Sequence, residues 1–315
     1  MSLSLALLVG AFAAGWLGPA VLRGLDPRRH DPVLLLVVWL VTMAGVLAAT
    51  TAAVLLSLLP GHGPGVPLLG VVHRCWLAVQ HGSLPGDEAA VGLLSVVVLA
   101  AVATRLVVVA VMAGRRRARR RREHLATLRL AARTGTEPAD VLWLAHDRPL
   151  AFSMSGRPGV VVLTEGLTRH LDSDAVAAVL THERAHLAGR HHQVLASAEA
   201  VRATLPLVPL FRRAPKAIGE LLELAADLVA VRRHGTAAVR TALVAVAGHG
   251  TPPASLAMGH DAVGVRLDRL RHGPRPPGRV RRTVSCWLAG LTAATLPFLA
   301  GTGVLLAVAL VDCPL

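Results

Sequence analysis

Tyrosine is absent from this 315-residue chain, aromatic residues make up 3% of it, cysteine occurs three times, and Lys216 is the only lysine. So few cysteines exclude a disulfide-stapled secreted module. Charge is also scarce, 17% against 53% hydrophobic residues, which excludes a disordered chain or a collagen-like repeat. A mean hydropathy of +0.55 is too apolar for two ordinary soluble domains, so the composition is that of a membrane protein. A pI near 11.6 by itself would also suit a nucleic-acid binder, so the placement of the charge decides.

Four stretches are nearly free of charge: Ser2 to Leu22, Val33 to Leu59, Ala89 to Ala113 (broken only by Arg105) and Val284 to Val311. A helix needs about 20 residues to cross a hydrocarbon core, so the pattern predicts four transmembrane helices. The formal net charge of +14 belongs wholly to Gly114–Arg282, and the charges outside that region cancel. This divides the chain into three spans (1–113), a polar domain (114–283), and a last span with a short tail (284–315).

Arg23, Arg28 and Arg29 follow the first span, only Arg74 lies between the second and third, and Arg115–Arg117 and Arg119–Arg122 follow the third. The positive-inside rule then puts both termini outside and the polar domain in the cytoplasm of a multi-pass cell-membrane protein. A cleaved signal peptide fits the first span less well, because its positive charges come after the apolar run. The arginine run is expected to fix orientation and attract anionic membrane lipid. No direct nucleic-acid contact is expected, since neither a recognition helix nor an aromatic platform accompanies the charge. On this topology Cys75 and Cys313 share the outer side, where a disulfide would persist, but three unpaired cysteines are the default.

Within the polar domain Glu123–Arg133 reads as a short amphipathic helix ending near Gly135. Val141–Leu144 and Val160–Leu163 read as two strands with a turn-rich connection. Ser173 is a plausible N-cap for a helix through Leu187. A second helix is expected from Pro215 to Gly235, and Ser255–Arg282 reads as a linker or one weak helix.

The first of these helices carries Thr181-His182-Glu183-Arg184-Ala185-His186. Histidines at i and i+4 share a face and can reach one Zn2+. Glu183 is placed to act as general base on a water at the open metal position. In the second helix Glu223 can supply a third ligand, and Asp227, one turn on, can accept the N–H of a ligating histidine. Two further readings stay open. His182 to His192 also spells the longer metzincin motif, with Gly189 and His192 in place and Met258 as the only downstream methionine. Glu220 is a fallback ligand, while His191 reads as a surface residue. With tyrosine absent, a side-chain donor to an oxyanion must be histidine or arginine, and His234 is one candidate.

The segments Pro149–Phe152, Val160–Leu167, Ala177–His186 and Glu223–Asp227 resemble the membrane gluzincins, above all the BlaR/MecR antirepressor metallopeptidases, with the HtpX and CAAX prenyl protease group as relatives. The resemblance covers roughly Val141 to Val231. It implies a mainly α polytopic membrane protein with a cytoplasmic α+β zinc peptidase domain. It implies zinc ligands His182, His186 and Glu223, general base Glu183 and supporting carboxylate Asp227. Two departures stand out: Ala226 replaces the family's usual cysteine, and the chain stops at Leu315 without a penicillin-binding sensor, so a β-lactam signal is expected to find no receptor here. The expected partner is a protein substrate, a transcriptional repressor in a signalling relay, bound by strand addition on Val160–Leu163. The alternatives are a protease trimming damaged or prenylated membrane proteins and a catalytically silent zinc-binding transducer. The apolar stretch Leu205–Phe211 is expected at the membrane surface.

Overall fold

The computed structural model describes residues 3–57, 87–132, 140–156, 158–248, 260–272 and 278–311, so Cys75, Cys313 and Met258 lie outside the described residues. The chain is mainly helical. Helices α1 (Leu3–Gly24), α2 (Pro32–Ser57) and α3 (Asp87–Ala131) come first. Three helices among the described residues are long and apolar enough to cross a membrane: Ala6–Gly24, Pro32–Leu56 and Leu94–Ala131. The short amphipathic helix expected at Glu123–Arg133 is not a separate element. It is the end of α3, which continues through the arginines because arginine and alanine are good helix formers and only Gly114 interrupts them.

The polar region folds around a small sheet of β1 (Val141–Leu144), β2 (Ala151–Met154) and β3 (Val160–Thr164), in the order β1-β3-β2. The segment read as a turn-rich connection therefore contains a strand, β2, which pairs antiparallel with β3 while β1 pairs parallel to it. β3 is buried along its whole length, as a central strand with both faces covered should be. One face packs on Leu125 and Leu128 of α3, and the other on Leu167, Leu171, Ala175 and Val179.

Helices α4 (Glu165–His170), α5 (Ser173–Ala188), α6 (His191–Thr204) and α7 (Pro209–Gly248) follow. The N-cap of α5 is Asp172 rather than Ser173: its carboxylate accepts from the Ala175 N–H at 2.7 Å, satisfying one of the helix's orphan donors. α7 begins one and a half turns before Pro215 and continues beyond Gly235, which breaks it with φ of 80°. Glycine reaches that left-handed region without the cost other residues meet. The region read as a linker or one weak helix contains a helix, α8 (His260–His272), and the start of α9 (Arg279–Val311), which lies against α1 and α2.

Of the stretch Leu205–Phe211, Leu207 is exposed while its end packs inward. Leu210 and Phe211 are buried in a cluster with Ala14, Leu35, Trp39 and Val46, and Val208 meets Gly15 halfway along α1. The α6–α7 hairpin thus inserts between the first two apolar helices, where a glycine leaves room for it. Arg105, the lone charge in the apolar part of α3, donates to the Ala203 carbonyl at 3.2 Å. That carbonyl belongs to the last turn of α6, the end where unpaired oxygens and the helix dipole favour a cation.

Close helix contacts in the apolar half use small residues. Gly45 faces the backbone of Ala293 and Ala294, and a side chain on Gly301 would run into the Ala6 carbonyl. Gly301→Leu must therefore push α9 away from α1. We expect a loss of roughly 1–3 kcal/mol, typical of overpacking, measured as a fall in melting temperature of the detergent-solubilised protein; an unchanged melt would mean that α9 does not pack there.

Candidate metal centre

Helices α5 and α7 approach closely because their facing positions are small: Ala178, Ala230 and Val239 form a buried contact, and Ala226 is fully buried. On α5 the one-turn spacing brings the rings of His182 and His186 to 4.9 Å between centroids. Their Nε2 atoms face each other at 3.1 Å. Glu223 comes across from α7, one oxygen 3.4 Å from His182 Nε2 and the other 3.4 Å from His186 Nε2. Atoms bound at about 2.0–2.1 Å to one tetrahedral zinc stand roughly 3.3 Å from each other, and these three residues each offer a ligand atom within 4.8 Å of the others.

The outer nitrogens of both rings are engaged. His182 Nδ1 lies 3.0 Å from Asp227 Oδ1, which fixes Nδ1 as the protonated nitrogen and turns the Nε2 lone pair inward. His186 Nδ1 lies 2.9 Å from His191 Nδ1. His191 is therefore not a surface residue. Arg190 adopts a left-handed backbone, φ 51°, which reverses the chain between α5 and α6 and folds the His191 ring over Gly189, where a side chain would collide with it. Gly189 thus serves this reversal. His192 points elsewhere, its Nε2 3.4 Å from Ser153 Oγ, and among the described residues only His182, His186 and Glu223 form a potential metal-binding group. Glu220 is not part of it. Nor does His234 point a free donor into the site, because its Nε2 is held 2.8 Å from Thr181 Oγ1.

The sequence reading missed Arg266. It comes from α8 and is largely buried, pairing both oxygens of Asp227 at 2.7 Å and Glu223 Oε2 at 3.1 Å. Its charge stands inside a segment rich in Gly, Pro and Arg, where nothing in the spacing singles it out. Burial favours neutral forms here, but the partners decide. For His182, burial is outweighed by Asp227 and Glu223, which raise its pKa to about 10. Burial and the nearby His182 push His186 down to about 3. Burial also opposes ionisation of Glu223, yet His182 and Arg266 hold it down at about 2. Asp227 lies well below the usual carboxylate range because Arg266 and His182 outweigh its burial. The inner nitrogens of the imidazole pair face each other at the point where a divalent ion would sit. Glu183, Glu223 and Asp227 against Arg266 leave a net two negative charges, which match one divalent cation. The donor set fits zinc.

Glu183 lines a cleft of about 1790 Å³ together with the two histidines, strand β2 and the arginine face of α3. Burial raises its pKa, partly offset by His182 and by a hydrogen bond from Ser153. A carboxylate whose pKa is lifted toward neutrality is suited to accept a proton and return it.

Helices of membrane-spanning length accompany a histidine–glutamate donor set that lies over a cleft. Residues 114–211 match the model of Peptidase family M48, whose members are metalloproteases, typically of zinc. The matched segment holds the sheet, His182, Glu183 and His186 and ends before Glu223. No curated protein and no solved structure matches the chain.

Glu223→Ala should abolish stoichiometric zinc in the purified protein, whereas His192→Ala should leave it unchanged, both read by elemental analysis. Zinc lost only in the histidine variant would reassign the third ligand.

Proposed function

We propose that this chain is a multi-pass membrane zinc endopeptidase with ligands His182, His186 and Glu223 and general base Glu183. It would cut a cytoplasmic or membrane-proximal protein, a transcriptional repressor in a signalling relay of the BlaR/MecR kind. The observation that carries this reading is the convergence of two imidazole nitrogens and both oxygens of Glu223, at 3.1 to 3.4 Å, beside a carboxylate of raised pKa. With α9 as the fourth span, the positive-inside argument puts residues 114–283 in the cytoplasm and both termini outside.

Strand addition on Val160–Leu163 is ruled out, because β3 is paired on both sides. The free edge is β2, whose residues 151–154 line the cleft. An extended substrate laid along β2 would place a peptide bond over the donor set. Bound zinc supplies Lewis acidity there, polarising the scissile carbonyl and acidifying water. Glu183 takes the proton of the attacking water as the C–O bond forms, then gives it to the amide nitrogen as the C–N bond breaks, leaving a carboxylate and an amine. Asp227 holds the His182 ring in the required tautomer throughout.

The position of the cleft supports a substrate at the membrane. α3 is one continuous helix rising about 1.5 Å per residue, and Arg117 through Leu128, which wall the cleft, begin only four residues beyond Ala113. The same proximity favours, as a second reading, trimming of membrane proteins in quality control or CAAX-type processing.

Glu183→Gln should keep zinc at the wild-type level and lower kcat by roughly 10²- to 10⁴-fold, the usual contribution of a general base. The test is cleavage of candidate repressors and of membrane-anchored peptides by full-length protein in lipid nanodiscs. Undiminished proteolysis by the zinc-loaded variant would refute the assigned base, and the preferred substrate separates the two readings.

A further inference from the structure

Helix α8 is held by two arginines one turn apart that face different parts of the molecule. Arg266 clasps Asp227 and Glu223. Arg269, 8% exposed, donates through one nitrogen to the backbone carbonyls of Pro27, Arg28 and His30, the last two at 3.1 and 2.7 Å. Those carbonyls belong to the turn joining α1 and α2. Asp268 adds an ion pair with Arg28 at 3.4 Å.

The turn is itself well held. Asp26 accepts from the Arg28 N–H at 2.9 Å, Asp31 accepts from the Val33 N–H at 2.9 Å, and Arg282, at the start of α9, pairs with Asp31 at 2.7 Å. Between the turn and the donor carboxylate lies a cavity of about 290 Å³, lined by Leu25, Pro27, Trp39, Glu223 and Arg266. The turn therefore does not reach Glu223 directly; the polar link between them runs through α8. Displacing the Arg266 guanidinium would leave the Asp227 and Glu223 carboxylates without the counter-charge they share.

We propose that Arg266 is a positioning residue for the metal centre and that the α1–α2 turn sets its placement through Arg269, so the first two apolar helices govern how tightly the donor set holds a divalent ion. The inference rests on reading His182, His186 and Glu223 as zinc ligands. Arg266 neutralises Asp227 and anchors the Glu223 oxygen nearest His182. Arg269 touches no donor residue, yet it fixes the register of α8 against the turn. A shift of α1 relative to α2 would move the three carbonyls, then α8, then the carboxylate that completes the donor set.

The experiment uses full-length protein in nanodiscs and measures zinc affinity by chelator competition and the visible absorption of the cobalt-substituted site. Arg266→Met should weaken zinc binding 10- to 100-fold, as loss of a group orienting a metal ligand commonly does. Arg266→Lys should recover part of this, because an ammonium keeps the charge but cannot make the two-point contact. Arg269→Met should weaken binding about tenfold and shift the cobalt spectrum in the same direction as Arg266→Met. In the Arg266→Met background the second substitution should add nothing, since both act on one path. If Arg269→Met fails to fold, Asp268→Asn loosens the same joint from its exposed side and should give a smaller loss of affinity. Wild-type affinity in the folded joint variants, or losses that simply multiply in the double variant, overturns the proposal. Glu223→Ala run alongside separates the two readings: full zinc retention there sinks the ligand assignment itself rather than the coupling.

Discussion

The site depends on one contact: a carboxylate from α7 brought against two imidazoles of α5 inside the protein. Each of these groups is expensive to bury alone, and here each is paired with the others. Small side chains at the α5–α7 interface let the helices come close enough for Glu223 to reach both Nε2 atoms. Asp227 and Arg266 then complete the charge balance. An alanine at 226 suits this packing, because it is fully buried where a larger group would separate the helices.

The sequence made much of this legible, and the misses have physical causes. The His-Glu-x-x-His spacing and the carboxylates one turn apart are local helical facts, so His182, His186, Glu223 and Asp227 could be named from periodicity. The apolar runs are equally local. The partnership of Arg266 with them is not, since it depends on the return of the chain through α8, 39 residues beyond Asp227. His191 was misread because a polar residue after a glycine looks exposed, whereas the left-handed Arg190 turns it inward. β2 was hidden in a segment dense with turn residues, and its pairing with β3 is a tertiary event. The longer metzincin pattern gives His192 the place of a third ligand, whereas the chain reversal at Gly189–Arg190 sends that ring toward Ser153.

One helix, α3, joins two environments. Its apolar part carries Arg105, which is accommodated by an unpaired carbonyl at the end of α6, and its arginine-rich part forms a wall of the cleft. Arg121 lies over Gly156 and donates to the Pro158 carbonyl at 3.4 Å, tying that wall to the β2–β3 connection. The arginines therefore place cationic groups in the cleft that they share with the edge strand β2.

The charge pattern divides the chain at 113/114 and 283/284, but the packing does not follow that division. Leu210, Phe211, Ala214, Ile218, Leu221 and Leu222 of α7 share a cluster with Ala11, Ala14, Trp39, Met43 and Val46 of α1 and α2. A fragment cut free of α1 and α2 would turn this face of α7 to water, at about 1.5–3 kcal/mol for each large apolar side chain exposed. The helix that would lose its support is the one that carries Glu223, immediately after Leu221 and Leu222. The geometry of the donor set is thus a property of the whole chain, with the apolar helices acting as part of the scaffold of the site and not only as its anchor.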